Sequence, residues 1–197
     1  MKKHNENFIL NQGYLPIIIA LILAVFIKLF FIVVAILLYI FRNPQKSVVN
    51  VDENSIVSPS DGKIMAIDIS KNKYKVYINV SLCDTHIVTA PKSANYEIKS
   101  YQYGLNLPSY SYKAKLLNSQ AILKFDDIKV KLINGICATN IILYDDITSD
   151  IKVSSEIGEF LQGIVVVEIP KTYELKVNIG DKVSSGQSVL GVIKDTH

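Results

Sequence analysis

SPSDGKIMAIDISKNKYKVYINV, residues 58–80, contains two β-rich runs, 63–69 and 74–80, joined by a short polar connection. Ile recurs through the first run and Tyr, Val and Ile through the second, with Asp-Gly before the first and Lys-Asn between them. This predicts antiparallel strands. The same texture continues downstream, with candidate strands at 96–101, 121–125, 128–133, 141–144, 163–169 and 188–193. No stretch after Arg42 sustains a helical period with caps, although short helical pieces are expected around Asp84 and Val153. The expected fold class is therefore mainly β, a compact antiparallel β sandwich or barrel.

Two turn-rich segments of similar character frame this region, SPSDGKIMAI at 58–67 and VNIGDKVSSGQSVLGVI at 177–193. Asp61-Gly62 predicts a tight turn, and Gly180 and Gly186 bracket a short connection between strands. Such segments recur in barrel-sandwich folds and establish architecture rather than chemistry.

Outward to the N-terminal side lies LPIIIALILAVFIKLFFIVVAILLYIF, residues 15–41, with Lys28 as its one charge. As one helix it would extend roughly 40 Å, enough to cross a hydrocarbon core of about 30 Å with tilt. Lys28 near the midpoint opposes that, because a lysine at the centre of a membrane helix costs about 2.5–3.5 kcal/mol. The alternative is a hairpin with Lys28 at its turn and two arms each too short to cross. A cleaved signal peptide is disfavoured by the length of the run. Lys2 and Lys3 precede the run and Arg42 and Lys46 follow it, so flanking charge sets no orientation. Residues 1–42 are expected to be a membrane anchor and residues 43–197 the β domain, with a cytoplasmic-membrane location.

Hydrophobic residues make up 49% of the 197-residue chain, and their concentration near the start accounts for the excess. Of the formal charge of +3, residues 1–42 supply all; the remainder carries 17 basic and 17 acidic residues. That balance argues against a nucleic-acid partner, and membrane lipid and a second copy of the chain are the partners expected. Cys83 and Cys137 are too few and too far apart for a zinc site or a disulfide framework, and buried thiols are expected.

Four segments taken in order carry a resemblance: FRNP at 41–44, SPSDG at 58–62, CDTHIVTAP at 83–91 and GICATN at 135–140. Behind a hydrophobic N-terminal segment they resemble the FFRDP-like, SPADG, D-x-H-x-x-R-A-P and G-x-x-A-R-R elements of the short bacterial and archaeal type of phosphatidylserine decarboxylase. The resemblance implies a self-processing enzyme of phosphatidylethanolamine synthesis. In that family the backbone breaks before a serine whose remnant becomes a pyruvoyl group. The amine of phosphatidylserine condenses with that carbonyl, and the imine accepts electrons as carbon dioxide leaves. Asp61 matches the acidic residue that orients processing and His86 the histidine placed to move a proton, a task suited to imidazole near neutral pH. The bland alternatives are a turn-forming aspartate and a hydrogen-bonded histidine.

The sequence departs from the family where the chemistry originates. None of its nine glycines is followed by Ser, Thr or Cys. Aligning IPKTYELKVNIGDKV with the family's end puts Gln162 and Gly163 where Gly and Ser should stand, and a glycine offers no oxygen for an N-to-O acyl shift. Thr89 replaces the arginine of the histidine element, and Thr139 and Asn140 replace the paired arginines, so planar anion-binding forks are missing. The expectation is a catalytically degenerate family member with no cofactor; a pyruvoyl group is expected only if family activity is retained. An active decarboxylase cut at a displaced serine, Ser154 or Ser155, and a non-enzymatic barrel-sandwich adaptor are the alternatives.

Overall fold

The computed structural model describes residue 9 and residues 11–26, 30–42, 52, 54–144 and 150–194. Two helices come first, α1 (Asn11–Phe26) and α2 (Phe30–Ile40). They lie antiparallel: Ile17 packs with Phe41, Ala20 and Ala24 pack with Val34, and Ile9 bridges Arg42. Small residues bring the helices close, and a Cβ at Gly13 would lie 2.7 Å from the Phe41 side chain. The apolar run is thus two helices rather than one continuous span. Among the described residues no helix is long and apolar enough to cross a membrane. Lys28, expected at the turn or midpoint, lies outside the described residues.

The remaining elements are β1 (Ser55–Val57), β2 (Gly62–Ile69), β3 (Lys73–Val80), β4 (Ile87–Thr89), β5 (Ala94–Gln102), α3 (Ala114–Leu117), β6 (Gln120–Phe125) and β7 (Ile128–Asn134), followed by β8 (Ile142–Leu143), β9 (Asp150–Ile151), β10 (Glu156–Glu159), β11 (Gly163–Pro170), β12 (Tyr173–Leu175), β13 (Lys182–Val183) and β14 (Val189–Ile193). They form one eight-stranded sheet, β13-β2-β3-β11-β7-β6-β5-β9, and two three-stranded sheets, β1-β14-β12 and β4-β10-β8. The architecture is mainly antiparallel β, as expected, but the sheets are open: β13 and β9 end the large one instead of meeting to close a barrel.

One core serves all three sheets. Ile56 and Leu190 from the first small sheet and Val88 and Ile157 from the second pack with Ile78, Leu123, Phe125, Leu132 and Val165 of the large one. Along β11 the run Gly-Ile-Val-Val-Val is buried at every position, because the strand has a neighbour on each side and is covered on both faces.

Local chemistry explains where expectation and structure part. The segment around Asp84 is a turn, in which the Asp84 carboxylate accepts from the Ser81 N–H at 2.7 Å. Around Val153 a helix is prevented by Ser154, whose φ of 65° is left-handed. The one helix described after the hairpin is α3. Cys83 and Cys137 are exposed free thiols, against expectation, because both fall in turns that follow strands. Asp61-Gly62 is not the tip of a hairpin; β2 and β3 are joined instead through residues 70–72, closed by a Ser70 N–H to Lys73 carbonyl bond of 2.9 Å.

Phe125, fully buried where the core meets the β6–β7 turn, is expected to dominate local stability. Phe125→Ala should lower unfolding free energy by about 3–5 kcal/mol in chemical denaturation, with the native fold retained at zero denaturant.

Candidate functional site

The segment 58–61, between β1 and β2, is held by its own side chains. Ser58 Oγ donates to the Ser60 carbonyl at 2.7 Å. Asp61 then spans two distant loops: one carboxylate oxygen accepts the Ser185 N–H at 2.7 Å and the other accepts the Thr85 N–H at 3.3 Å. Charge-assisted bonds of this kind are the stronger class. Ser185 is buried, and its hydroxyl lies 2.9 Å from that of Thr89. Sequence reasoning did not select Ser185 or Thr85; the likeness of the two turn-rich segments was the signal that they meet.

His86 precedes β4 and is only 1% exposed. Its carbonyl accepts the Phe160 N–H at 2.8 Å, which ties it to the connection between β10 and β11. Neither ring nitrogen has a partner of hydrogen-bond geometry. The Ile40 carbonyl faces the ring without completing such a bond. Burial lowers the imidazole pKa below its ordinary value of 6.5; nearby Arg42 adds to that, while the Ile40 carbonyl, Asp84 and Asp61 oppose it. The ring is therefore neutral at pH 7.

Arg42 joins the hairpin to this segment. Its guanidinium donates to the Tyr39 carbonyl at 2.9 Å and the Cys83 carbonyl at 3.1 Å, and stands 4.0 Å over the Tyr39 ring. Leu161 and Leu82 complete the joint against Ile17 and Phe41. Beside it the buried Glu159, also missed from sequence, accepts from the Gln12 side chain at 3.2 Å.

Gly163 opens β11 in register with Val80 of β3 on one side and Asn134 of β7 on the other. Its φ is +148°, and a Cβ built on it would lie 2.1 Å from the Ile133 carbonyl oxygen and 2.9 Å from the Phe160 ring. Real side chains do not approach a carbonyl so closely. The preceding Gln162 carbonyl accepts the Gly135 N–H at 2.9 Å.

The structure thus gathers Asp61, His86 and Gly163 at one end of the large sheet, beneath the hairpin. Ser154 and Ser155 stand elsewhere: Ala90 pairs with both, at the far end of the ladder whose near end is the His86–Phe160 bond. At about 3.3 Å per residue that is roughly 13 Å from His86. Ser154 Oγ donates to the Gly186 carbonyl at 2.7 Å. Thr89 is buried in its hydroxyl pair with Ser185, and Thr139 and Asn140 are exposed and neutral. The residues at 162–163 carry no hydroxyl, and a Cβ at 163 would meet the Ile133 carbonyl.

Comparison with known proteins matches residues 33–191 to the sequence model of phosphatidylserine decarboxylase. A phosphatidylserine decarboxylase proenzyme of Geotalea uraniireducens (strain Rf4) is 28% identical, covering 94% of this chain and 93% of its own length. The proenzyme of Carboxydothermus hydrogenoformans is 27% identical over 95% of this chain and 93% of its own, and that of Amoebophilus asiaticus 28% over 80% and 75%. No solved structure matches.

The pKa shift of His86 makes a stability signature. Because its folded value lies below the unfolded one, the charged form is resisted only in the native state. Stability is full above about pH 6.5 and falls as the pH drops below it toward the folded value. Urea titrations at about pH 7 and about pH 5 should show a loss of stability in the wild type that His86→Asn reduces.

Proposed function

This chain belongs to the phosphatidylserine decarboxylase family, and on that premise we propose that it is a degenerate member acting in phospholipid metabolism as a membrane-bound lipid-binding protein, not as a self-processing decarboxylase. The observation that carries this is Gly163. The family's chemistry begins with a serine hydroxyl at this point, and here the backbone is closed against any side chain by the Ile133 carbonyl. Asp61 retains a structural task, holding two loops through their N–H groups, that needs no processing event. His86 retains burial and neutrality, and neither ring nitrogen has a hydrogen-bond partner among the described residues.

A displaced cleavage site is disfavoured by the distance of Ser154 and Ser155 from His86 and by the engagement of Ser154 with Gly186. An efflux-type adaptor is disfavoured by helices of 16 and 11 residues, too short for its coiled coil. Membrane association rests on the hairpin's outer side, where Leu15, Ile18, Ile22, Phe31, Ile32 and Ile36 are exposed. An apolar face of this extent, away from the β domain, suits the acyl region of a bilayer.

Intact-protein mass spectrometry of the membrane-extracted chain should give one species near 22.0 kDa; two fragments, one beginning with a pyruvoyl, would overturn the proposal. The double change Gln162→Gly with Gly163→Ser restores the dipeptide but not the space. It should leave the chain uncut and cost about 1–3 kcal/mol of stability through backbone strain alone.

Flotation with vesicles of phosphatidylserine and phosphatidylcholine tests the membrane assignment. Ile22→Asp with Ile32→Asp should reduce vesicle-bound protein about tenfold or more, since aspartate is costly in hydrocarbon. Equal flotation of variant and wild type would remove the hairpin as the contact.

A further inference from the structure

The outward face of the large sheet carries its side chains in rows fixed by register. In one row Lys75 stands opposite Glu168, Glu168 opposite Lys129, and Lys129 opposite Lys124. In the next, Tyr77, Val166, Lys131 and Ile122 follow one another across the same four strands. Lys115 of α3 reaches over from above, its Nζ 5.5 Å from the centre of the Tyr77 ring. The result is a concavity of about 250 Å³ walled by Lys75, Lys115, Lys129 and Lys131. Its floor is aliphatic, formed by Ile122, Ile164 and Val166.

Glu168 is the one carboxylate lining it, and that charge is already shared by Lys73 at 2.5 Å and Lys75 at 3.9 Å. Lys115, Lys129 and Lys131 have no carboxylate partner among the described residues. Like charges directly opposite one another, as at Lys124 and Lys129, work against a sheet. Burial, then the neighbouring Lys129, lowers the Lys131 pKa. Along the same sheet Lys73, Lys99 and Lys124 continue the basic character as far as Asp126 and Asp127 at the β6–β7 turn, the latter paired with Lys92 at 3.0 Å, and this acidic pair bounds the surface.

We propose that this groove is a binding site for a small phosphate-bearing anion, with the phosphate between Lys115, Lys129 and Lys131 and the carbon body of the ligand on the aliphatic floor beside Tyr77. Lysine serves phosphate as a mobile point charge, and three of them from one strand and a helix surround a phosphate without a rigid fork. The floor excludes water beneath the ligand and favours an organic phosphate over a bare ion. The limited volume and acidic border exclude a long polyanion. A soluble phosphate ester and a phospholipid headgroup share this chemistry. The floor reaches Ile164, the residue after Gly163, and opens on the outward face of the sheet.

Equilibrium dialysis of the full chain in detergent with labelled pyrophosphate, and cosedimentation with vesicles of phosphatidic acid or of phosphatidylcholine, test the site together. Lys129→Gln with Lys131→Gln is the variant of choice, because it removes like charges without touching the core, and its thermal midpoint should equal or exceed that of the wild type. Saturable pyrophosphate binding that weakens about tenfold or more in the variant, and falls with added salt, supports the site and assigns a soluble ligand. Preference for phosphatidic acid over phosphatidylcholine that is lost in the variant, without pyrophosphate binding, supports it and assigns a headgroup. Binding by wild type and a folded variant alike, or by neither in both assays, overturns it. So does much tighter, length-dependent binding of a single-stranded oligonucleotide.

Discussion

Strand β11 is paired along its length, to β3 through all eight residues and to β7 through six, and it enters the sheet at a glycine wedged beneath a neighbouring carbonyl. Everything else is arranged around that entry. The connection before it carries Phe160, whose N–H holds His86, and Leu161, which receives the hairpin. A sheet centre of this kind has no spare volume, so a side chain added at its first residue displaces backbone rather than solvent. The constraint that makes this entry rigid is one of backbone space: the residue at 163 has no room for a side chain.

How legible this was in the sequence depends on what each signal measures. The long strands appeared as runs of Ile, Val and Tyr, and seven of them, β2, β3, β5, β6, β7, β11 and β14, lie where those runs predict them. The run at 141–144 holds the two-residue β8; the other short strands, β1, β4, β9, β10, β12 and β13, did not appear, since a segment so short is defined mainly by its partner. Asp61 and His86 were found by motif, but what they touch was not. Asp61 binds Ser185, 124 residues away, through a backbone N–H that carries no sequence signature. The two exposed cysteines went the other way, because residue type predicts burial only on average and turns overrule it.

Net charge shows a similar blindness. The β domain balances its 17 basic and 17 acidic residues, which argues against a nucleic-acid partner. A sum does not register sides. In β3 and β7 the lysines alternate with core residues, and alternation in a strand is segregation in space. Lys75, Lys129 and Lys131 therefore share one face with the single carboxylate of Glu168, while other acids lie at turns such as Asp126-Asp127.

The bridge between Ile9 and Arg42 brings the two flanks of the apolar segment to one level. A segment that leaves and returns at the same level has no near and far side for the translocation machinery to distinguish. The rule that cytoplasmic flanks are the more positive then has nothing to act on. The nearly equal charge on the two flanks, Lys2 and Lys3 against Arg42 and Lys46, is in keeping with that geometry. In a bilayer, such a loop would enlarge one leaflet and leave the other untouched. Packing stress between the leaflets, and hence curvature, would then set where along a membrane the protein resides.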